Sequence, residues 1–97
     1  GELYAQLAQL FLNIDQFDDA IANAELALAK GELRNQGTVH LVLGMSYYNQ
    51  RQFVKALDQL AKAEEFKNTR KMAEQWQQFV SGEKRTFEAL QAEIASE

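Results

Sequence analysis

Few side chains in this sequence could perform acid–base, nucleophilic or metal chemistry. The chain has one histidine, His40, and no cysteine. A single imidazole without partners predicts structural packing for His40 rather than catalysis or metal binding. The acidic pairs Asp18–Asp19 and Glu64–Glu65 are expected on solvated helix surfaces. No phosphate loop, nucleophile elbow or zinc-protease motif occurs. The sequence therefore predicts a protein that is not an enzyme and binds no cofactor or metal.

The charge and hydropathy patterns disfavour two further classes. The net charge is −4, with basic and acidic residues mixed along the chain, whereas a nucleic-acid binder normally presents a basic face. No apolar run approaches the roughly 20 residues of a membrane span, so we expect no direct membrane insertion. Because the chain opens on Gly1 rather than Met, we expect an excised or processed fragment. The absence of cysteine is compatible with the cytoplasm and with the bacterial periplasm, so the compartment is left open.

The composition favours long helices in one domain. The 97 residues include no proline and only five glycines, so few residues would break a helix. Ala, Leu, Glu, Gln and Lys are abundant, and all are good helix formers. The length corresponds to a single domain. We therefore predict an all-α fold over residues 1–97.

An offset of 36 residues, the separation of Leu7 from Leu43, aligns the first part of the chain with the second. The aligned pairs are Leu7 and Leu43, Ala8 and Gly44, Phe11 and Tyr47, Phe17 and Phe53, Ala20 and Ala56, and Ala27 and Ala63. One offset that matches so many positions indicates an internal repeat. Each repeat shows two apolar stripes at helical spacing, separated by a short turn. The small residues Ala8, Ala20, Gly44 and Ala56 predict two antiparallel helices that approach closely.

These residues resemble the tetratricopeptide repeat (TPR) family, whose period is about 34 residues. The matching motifs are Tyr4-x2-Leu7-Ala8-x2-Phe11 with Phe17-x2-Ala20 and Ala27, then His40-x2-Leu43-Gly44-x2-Tyr47 with Phe53-x2-Ala56 and Ala63. The usual repeat-ending proline is missing, and two extra residues lie around 33–37. The resemblance covers residues 1–69 and implies a solenoid of helical hairpins. We expect repeat 1 over residues 1–34, repeat 2 over 37–69, and a capping or extension helix over 70–95.

The last part of the chain keeps one apolar register. Positions 73, 76, 80, 83, 87, 90 and 94 alternate in steps of three and four, and all but Glu83 are apolar. A register maintained through the sequence GEKRT predicts one continuous helix over residues 70–95, although Gly82 would permit a bend. The alternative is a fold-back at Gly82 that forms a degenerate capping repeat. In a continuous helix, Phe87, Leu90 and Ile94 would project beyond the repeats as an interface for a second copy or for a missing part of the parent protein.

The TPR resemblance also implies a partner-binding groove lined by the first helix of each repeat. Carrying the family's groove positions onto this chain predicts contacts from Gln9, Leu12, Asn13, Leu41, Met45, Tyr48, Asn49, Glu74 and Gln78. The Leu, Met and Tyr members predict an apolar floor. The Lys and Asn clamp that some relatives use for a C-terminal carboxylate is missing, because Ala5, Gln9 and Val42 occupy those positions. Trp76 is expected to pack in the core.

The resemblance favours a protein–protein interaction module that binds a peptide or helix of a partner protein. The apolar stripe near the C-terminus would be a second interface, including one for a homodimer. One alternative is a structural segment of a longer TPR superhelix with no ligand of its own. Another rests on the segment AEQWQQFVSGEKRTFEALQAE, which resembles periplasmic TPR proteins that accompany bacterial TonB–ExbB–ExbD energy-transduction systems.

Overall fold

Five α-helices and their connections make up the computed structural model, which describes residues 1–97. The helices are α1 (Glu2–Asn13), α2 (Phe17–Lys30), α3 (Gln36–Asn49), α4 (Phe53–Glu64) and α5 (Arg70–Ala95). This confirms the predicted all-α class. Each helix packs against the next one in the chain, and α1 also touches α3. The molecule is elongated, with extents of 51 × 26 × 20 Å.

Consecutive helices run antiparallel because their connections are short. Gly1, at the start of α1, lies beside the backbone carbonyls of Ala27 and Gly31 at the end of α2. The end of α3 likewise meets the start of α2, where Gln50 donates a hydrogen bond to Asp18. The starts of α1 and α3 also lie close together, since the amide of Arg34, two residues before α3, donates to Glu2 Oε1 at 2.6 Å.

The two hairpin turns repeat each other at the same 36-residue offset as the side chains. Asp15 in the α1–α2 turn has φ 61°, and Arg51 in the α3–α4 turn has φ 63°. This left-handed conformation is uncommon for residues other than glycine. The amide of the following residue closes each turn: Gln16 donates to the Phe11 carbonyl and Gln52 to the Tyr47 carbonyl, both at 2.9 Å. The internal repeat is thus visible in the backbone.

Two apolar clusters hold the helices together, and α3 contributes to both. The first joins α1, α2 and α3 through Ala8, Ala20, Ala24, Ala27, Val39, Val42 and Leu43. The second joins α3, α4 and α5 through Leu41, Phe53, Ala56, Leu60, Ala63, Ala73 and Val80. The small residues predicted at the close contacts are all buried. Gly44 illustrates the reason, because a Cβ built there would lie 2.7 Å from Leu60 Cδ2.

His40 is a packing residue, as predicted. It is 6% exposed, and its Nδ1 donates to Gln59 Oε1 at 2.8 Å, which links α3 to α4. Its ring stacks on Phe66 with centroids 6.1 Å apart.

Helix α5 is continuous over 26 residues, a length of about 39 Å at 1.5 Å per residue. The predicted continuous helix is therefore confirmed, and the fold-back at Gly82 does not occur. One detail of the prediction is wrong: Phe87 does not project freely. It packs on Phe53 of α4, with ring centroids 5.4 Å apart. Leu90 and Ile94 lie beyond that contact and are 53% and 71% exposed.

Candidate interaction surface

Five large apolar side chains from α3 and α5 form a partly exposed patch, which we call the α3–α5 surface. Its members are Met45, Tyr48, Met72, Trp76 and Phe79. Met72 and Phe79 are each 50% exposed, while the other three are partly buried and pack against the second core cluster. Methionine and aromatic side chains supply adaptable and rigid apolar area, respectively. Such a mixture is typical of interaction surfaces.

The three aromatic rings of this surface pack edge to face. The ring centroids of Tyr48 and Phe79 are 5.3 Å apart, those of Trp76 and Phe79 are 5.7 Å apart, and those of Tyr48 and Trp76 are 6.0 Å apart. Aromatic pairs prefer this arrangement and gain about 0.5–1.5 kcal/mol from it beyond area burial. The rings therefore hold one another in place.

Tyr48 is further fixed by polar contacts. Its hydroxyl donates to Glu83 Oε1 at 2.9 Å, and the Arg51 guanidinium lies 5.9 Å from its ring centroid. Burial, and then the hydrogen bond and negative charge of Glu83, raise the pKa of Tyr48, while Arg51 lowers it to a smaller extent. The phenol therefore stays protonated and keeps donating to Glu83 at neutral pH.

Three cavities lie on α1, α3 and α5, and together we call them the groove. The first has a volume of about 290 Å³ and lies between α1 and α3. The second, of about 270 Å³, lies between α1, α3 and the start of α5. They share a wall made of Gln9, Asn35, Thr38 and Val42. The third, of about 330 Å³, is lined by Gln75, Trp76 and Phe79.

The structure brings some of the predicted groove residues together. Gln9, Leu41 and Met45 line the second cavity with Met72, and Tyr48 belongs to the adjoining α3–α5 surface.

Other predicted residues lie outside the cavities. Leu12 packs, partly buried, against the first core cluster. Asn13 is exposed and accepts a hydrogen bond from Gln9. Asn49 donates to the carbonyl of Met45 in its own helix.

Glu74 and Gln78 lie on a different side of α5 from the α3–α5 surface. Each is two residues from Trp76, which is about 200° around a helix of 3.6 residues per turn. Both are exposed, and Gln78 lines a separate depression with Gln77, Ser81 and Arg85. The structure does not bring these two residues together with Met45.

Sequence reasoning missed Met72 and Phe79 and assigned Trp76 to the core. The sequence contains a pattern that could have identified them, because the apolar positions 72, 76 and 79 form a second stripe at helical spacing beside the buried positions 73 and 80. Trp76 belongs to both stripes. Its contacts with the second core cluster agree with the predicted packing, and its place in the third cavity adds a second role.

No group of three or more His, Asp or Glu side chains is placed to hold a metal ion. None of the helices combines the length and apolar character that crossing a membrane requires. Comparison of the chain with family models, curated proteins and solved structures finds no match in any of the three.

Proposed function

We propose that this chain is a protein–protein interaction module built like a TPR solenoid, and that the groove with its α3–α5 surface binds a segment of a partner protein. The observation that carries this proposal is the exposure of Met72 and Phe79 beside Met45, Tyr48 and Trp76, next to open cavities. Support for the solenoid comes from the two successive hairpins, whose turns at Asp15 and Arg51 share the same backbone geometry.

Exposed apolar area favours a binding role. Full burial of a large aromatic or methionine side chain is favourable by roughly 1.5–3 kcal/mol, and a side chain left in water lacks this stabilisation. Contiguous patches of this kind usually mark interaction sites. The aromatic part of the α3–α5 surface is also rigid, since its rings pack on one another and the Tyr48 hydroxyl is hydrogen-bonded to Glu83. A fixed surface loses little conformational entropy when a partner binds. The role that follows is binding without catalysis.

A second candidate function is stacking within a longer helical array. It is favoured by Leu3, Leu10 and Ile14 at the other end of the molecule, which are 66%, 60% and 60% exposed. These three side chains project from α1 and the turn that follows it. A preceding helix packed against them would bury an apolar row. Leu90 and Ile94 offer a similar row near the end of α5, for a neighbouring element or a second copy.

The test is a crosslinking pull-down from the source cells with the unmodified domain and a groove variant, Met72→Glu/Phe79→Glu. Both residues are half exposed, so the new carboxylates remain hydrated and circular dichroism should show an unchanged helix content. The matched control is Leu26→Glu/Val54→Glu, which adds the same two charges at exposed positions of α2 and α4.

A partner captured by the unmodified domain and the control, but lost from the groove variant, supports groove binding. A partner captured equally by all three moves the interface away from the groove. Recovery of only the domain itself, or of chain segments that adjoin it in the parent protein, favours the stacking function.

A further inference from the structure

We propose that the segment bound in the groove is an extended, uncharged peptide with large apolar side chains at alternate positions. This inference rests on the proposed function and specifies the chemistry of the ligand. It follows from three features of the groove: the near absence of charge, the presence of amide side chains, and the division of the apolar lining among three cavities.

Charge is nearly absent from the groove lining. Glu2, which lines the first cavity, is the only charged residue among those that line the three cavities. A carboxylate or ammonium group buried in the groove would lose water and find no basic side chain and only this one acidic side chain, which is strongly unfavourable. Charge complementarity therefore selects a neutral segment. It also excludes a free C-terminus, because no lysine or arginine lines the cavities to receive a carboxylate.

Neutral amide side chains take the place of charges. Gln6, Gln9, Asn35, Asn68 and Gln75 line the three cavities. At the wall shared by the first two, Gln9 Nε2 donates to Asn13 Oδ1 at 3.0 Å, so the Gln9 side-chain oxygen is available as an acceptor. Asn35 Oδ1 accepts from the Thr38 amide at 3.4 Å, so the Asn35 NH₂ group is available as a donor.

This pairing of an acceptor with a donor favours an extended ligand over a helical one. Every peptide group of an extended segment offers one N–H and one C=O that need partners when they leave water. In a helix those groups already bond to each other, so the side-chain amides would gain nothing from the ligand backbone. Gln9 and Asn35 can instead satisfy one peptide group of an extended chain at the junction of the two cavities.

The apolar floor is divided in a way that suits alternating side chains. Leu33 and Val39 contribute to the first cavity, Met45 and Met72 to the second, and Trp76 and Phe79 line the third. In an extended chain every second side chain points to the same face, about 6.6 Å apart. The first two cavities share a wall, and Trp76 of the third follows Met72 of the second by one turn of α5, so inward side chains can enter the cavities in turn. The chain's only two methionines line the middle cavity, where their flexibility accommodates different apolar shapes.

The test uses a phage-displayed library of random nine-residue segments, flanked on both sides so that no free terminus is presented. The library is selected on the unmodified domain and counter-selected on the Met72→Glu/Phe79→Glu variant. A second counter-selection on Gln9→Lys covers the case in which the first variant does not fold. Retained sequences are compared with the input library, and the best one is synthesised with blocked ends and titrated against the fluorescence of Trp76, the only tryptophan.

We expect the frequency of Asp, Glu, Lys and Arg in the retained segments to be about tenfold or more below that in the input library, since each charged side chain would be desolvated without a partner. It also predicts large apolar residues at positions i, i+2 and i+4, and a change in Trp76 emission on binding. Groove-dependent retention of charged segments, or of segments with apolar residues at i, i+3 and i+4, would overturn the inference while leaving groove binding intact. Retention that is equal on the domain and on both variants would overturn the proposed function and this inference together.

Discussion

The Tyr48 hydroxyl donates a 2.9 Å hydrogen bond to Glu83 Oε1, which joins the last turn of α3 to the middle of α5. The bond explains the one polar position in the apolar register of α5, since Glu83 falls where every other member of the series from 73 to 94 is apolar. It also fixes the Tyr48 ring against Trp76 and Phe79. The α3–α5 surface is therefore held in place by a polar contact as well as by packing.

Removing this contact should weaken the attachment of α5. Tyr48→Phe deletes the hydroxyl and leaves the ring, so we expect the free energy of unfolding to fall by about 0.5–1.5 kcal/mol, the usual net value of one hydrogen bond. Urea denaturation followed by circular dichroism measures the change. The matched control is Tyr47→Phe, because the Tyr47 hydroxyl donates to Glu25 at 3.2 Å in an exposed position and should contribute less. Equal losses in the two variants would contradict the role assigned to the Tyr48–Glu83 bond.

Alkaline pH should destabilise the fold through ionisation of Tyr47 and Tyr48. Burial raises the pKa of both, and the neighbouring carboxylates Glu25 and Glu83 raise it further. A raised pKa means that the folded state holds the phenolic proton more tightly than the unfolded state. The resulting stability is fully present below the ordinary tyrosine pKa of about 10 and is lost as the pH rises through the folded-state values.

Urea denaturation between about pH 9 and pH 11 spans the window in which tyrosine ionises. We expect the free energy of unfolding to fall with pH in the unmodified chain and to fall less steeply in Tyr47→Phe/Tyr48→Phe. Parallel pH profiles for the two proteins would show that these phenols do not supply the effect.

Two glycines in helices should respond to alanine with opposite signs. In Gly44→Ala the new Cβ lies 2.7 Å and 2.8 Å from atoms of Leu60, a residue with no exposed surface. Overpacking of this kind costs about 1–3 kcal/mol. In Gly82→Ala the new Cβ meets nothing within 4 Å, and the higher helix propensity of alanine should add about 0.5–1 kcal/mol.

Thermal unfolding of the two glycine variants side by side checks both signs. A Gly44→Ala protein as stable as the unmodified chain would mean that α3 and α4 are not packed as closely as described. A destabilising Gly82→Ala substitution would mean that α5 needs a bend at that position.

The end of α5 should contribute to association and not to folding. Leu90 and Ile94 are exposed, and Phe87 makes the last aromatic contact with α4. Leu90→Glu/Ile94→Glu should therefore leave the melting temperature nearly unchanged and reduce any self-association seen by light scattering. Phe87→Ala, by contrast, should lower the melting temperature, because it removes the ring that packs on Phe53. A large drop in melting temperature for the double Glu variant would show that these side chains support the fold.

The sequence predicted the helical framework well because its signals are local. The 36-residue repeat located both hairpins, and the register from 73 to 94 predicted a continuous α5. The small residues at close helix contacts, such as Ala20 and Gly44, also followed from the repeat. Each of these features depends on residues within one helix or one hairpin, where spacing along the chain determines position in space.

The site was predicted less completely because it depends on which residues flank the buried stripe of α5 and on contacts between helices. Glu74 and Gln78 were chosen by family position, yet they lie about 200° from Trp76 around the helix. Met72 and Phe79 lie beside the core stripe and were not predicted as site residues. The buried stripe at 73, 76 and 80 specifies the rotation of α5, but the family positions used for Glu74 and Gln78 did not follow that stripe. Phe87 was placed in the exposed stripe because its contact with Phe53 joins two helices and is not visible in the spacing of α5 alone.

The central claim, that the α3–α5 surface binds a partner segment, is tested most directly by site-specific photocrosslinking in the source cells. A benzoylphenylalanine at position 79 replaces an aromatic ring that is already half exposed. The same residue at position 26, on the exposed side of α2, is the matched control. The account predicts a discrete crosslinked partner at position 79 that is absent at position 26 and is lost when Met72→Glu is added. A partner crosslinked equally from both positions, or no crosslinked partner at position 79, would contradict it.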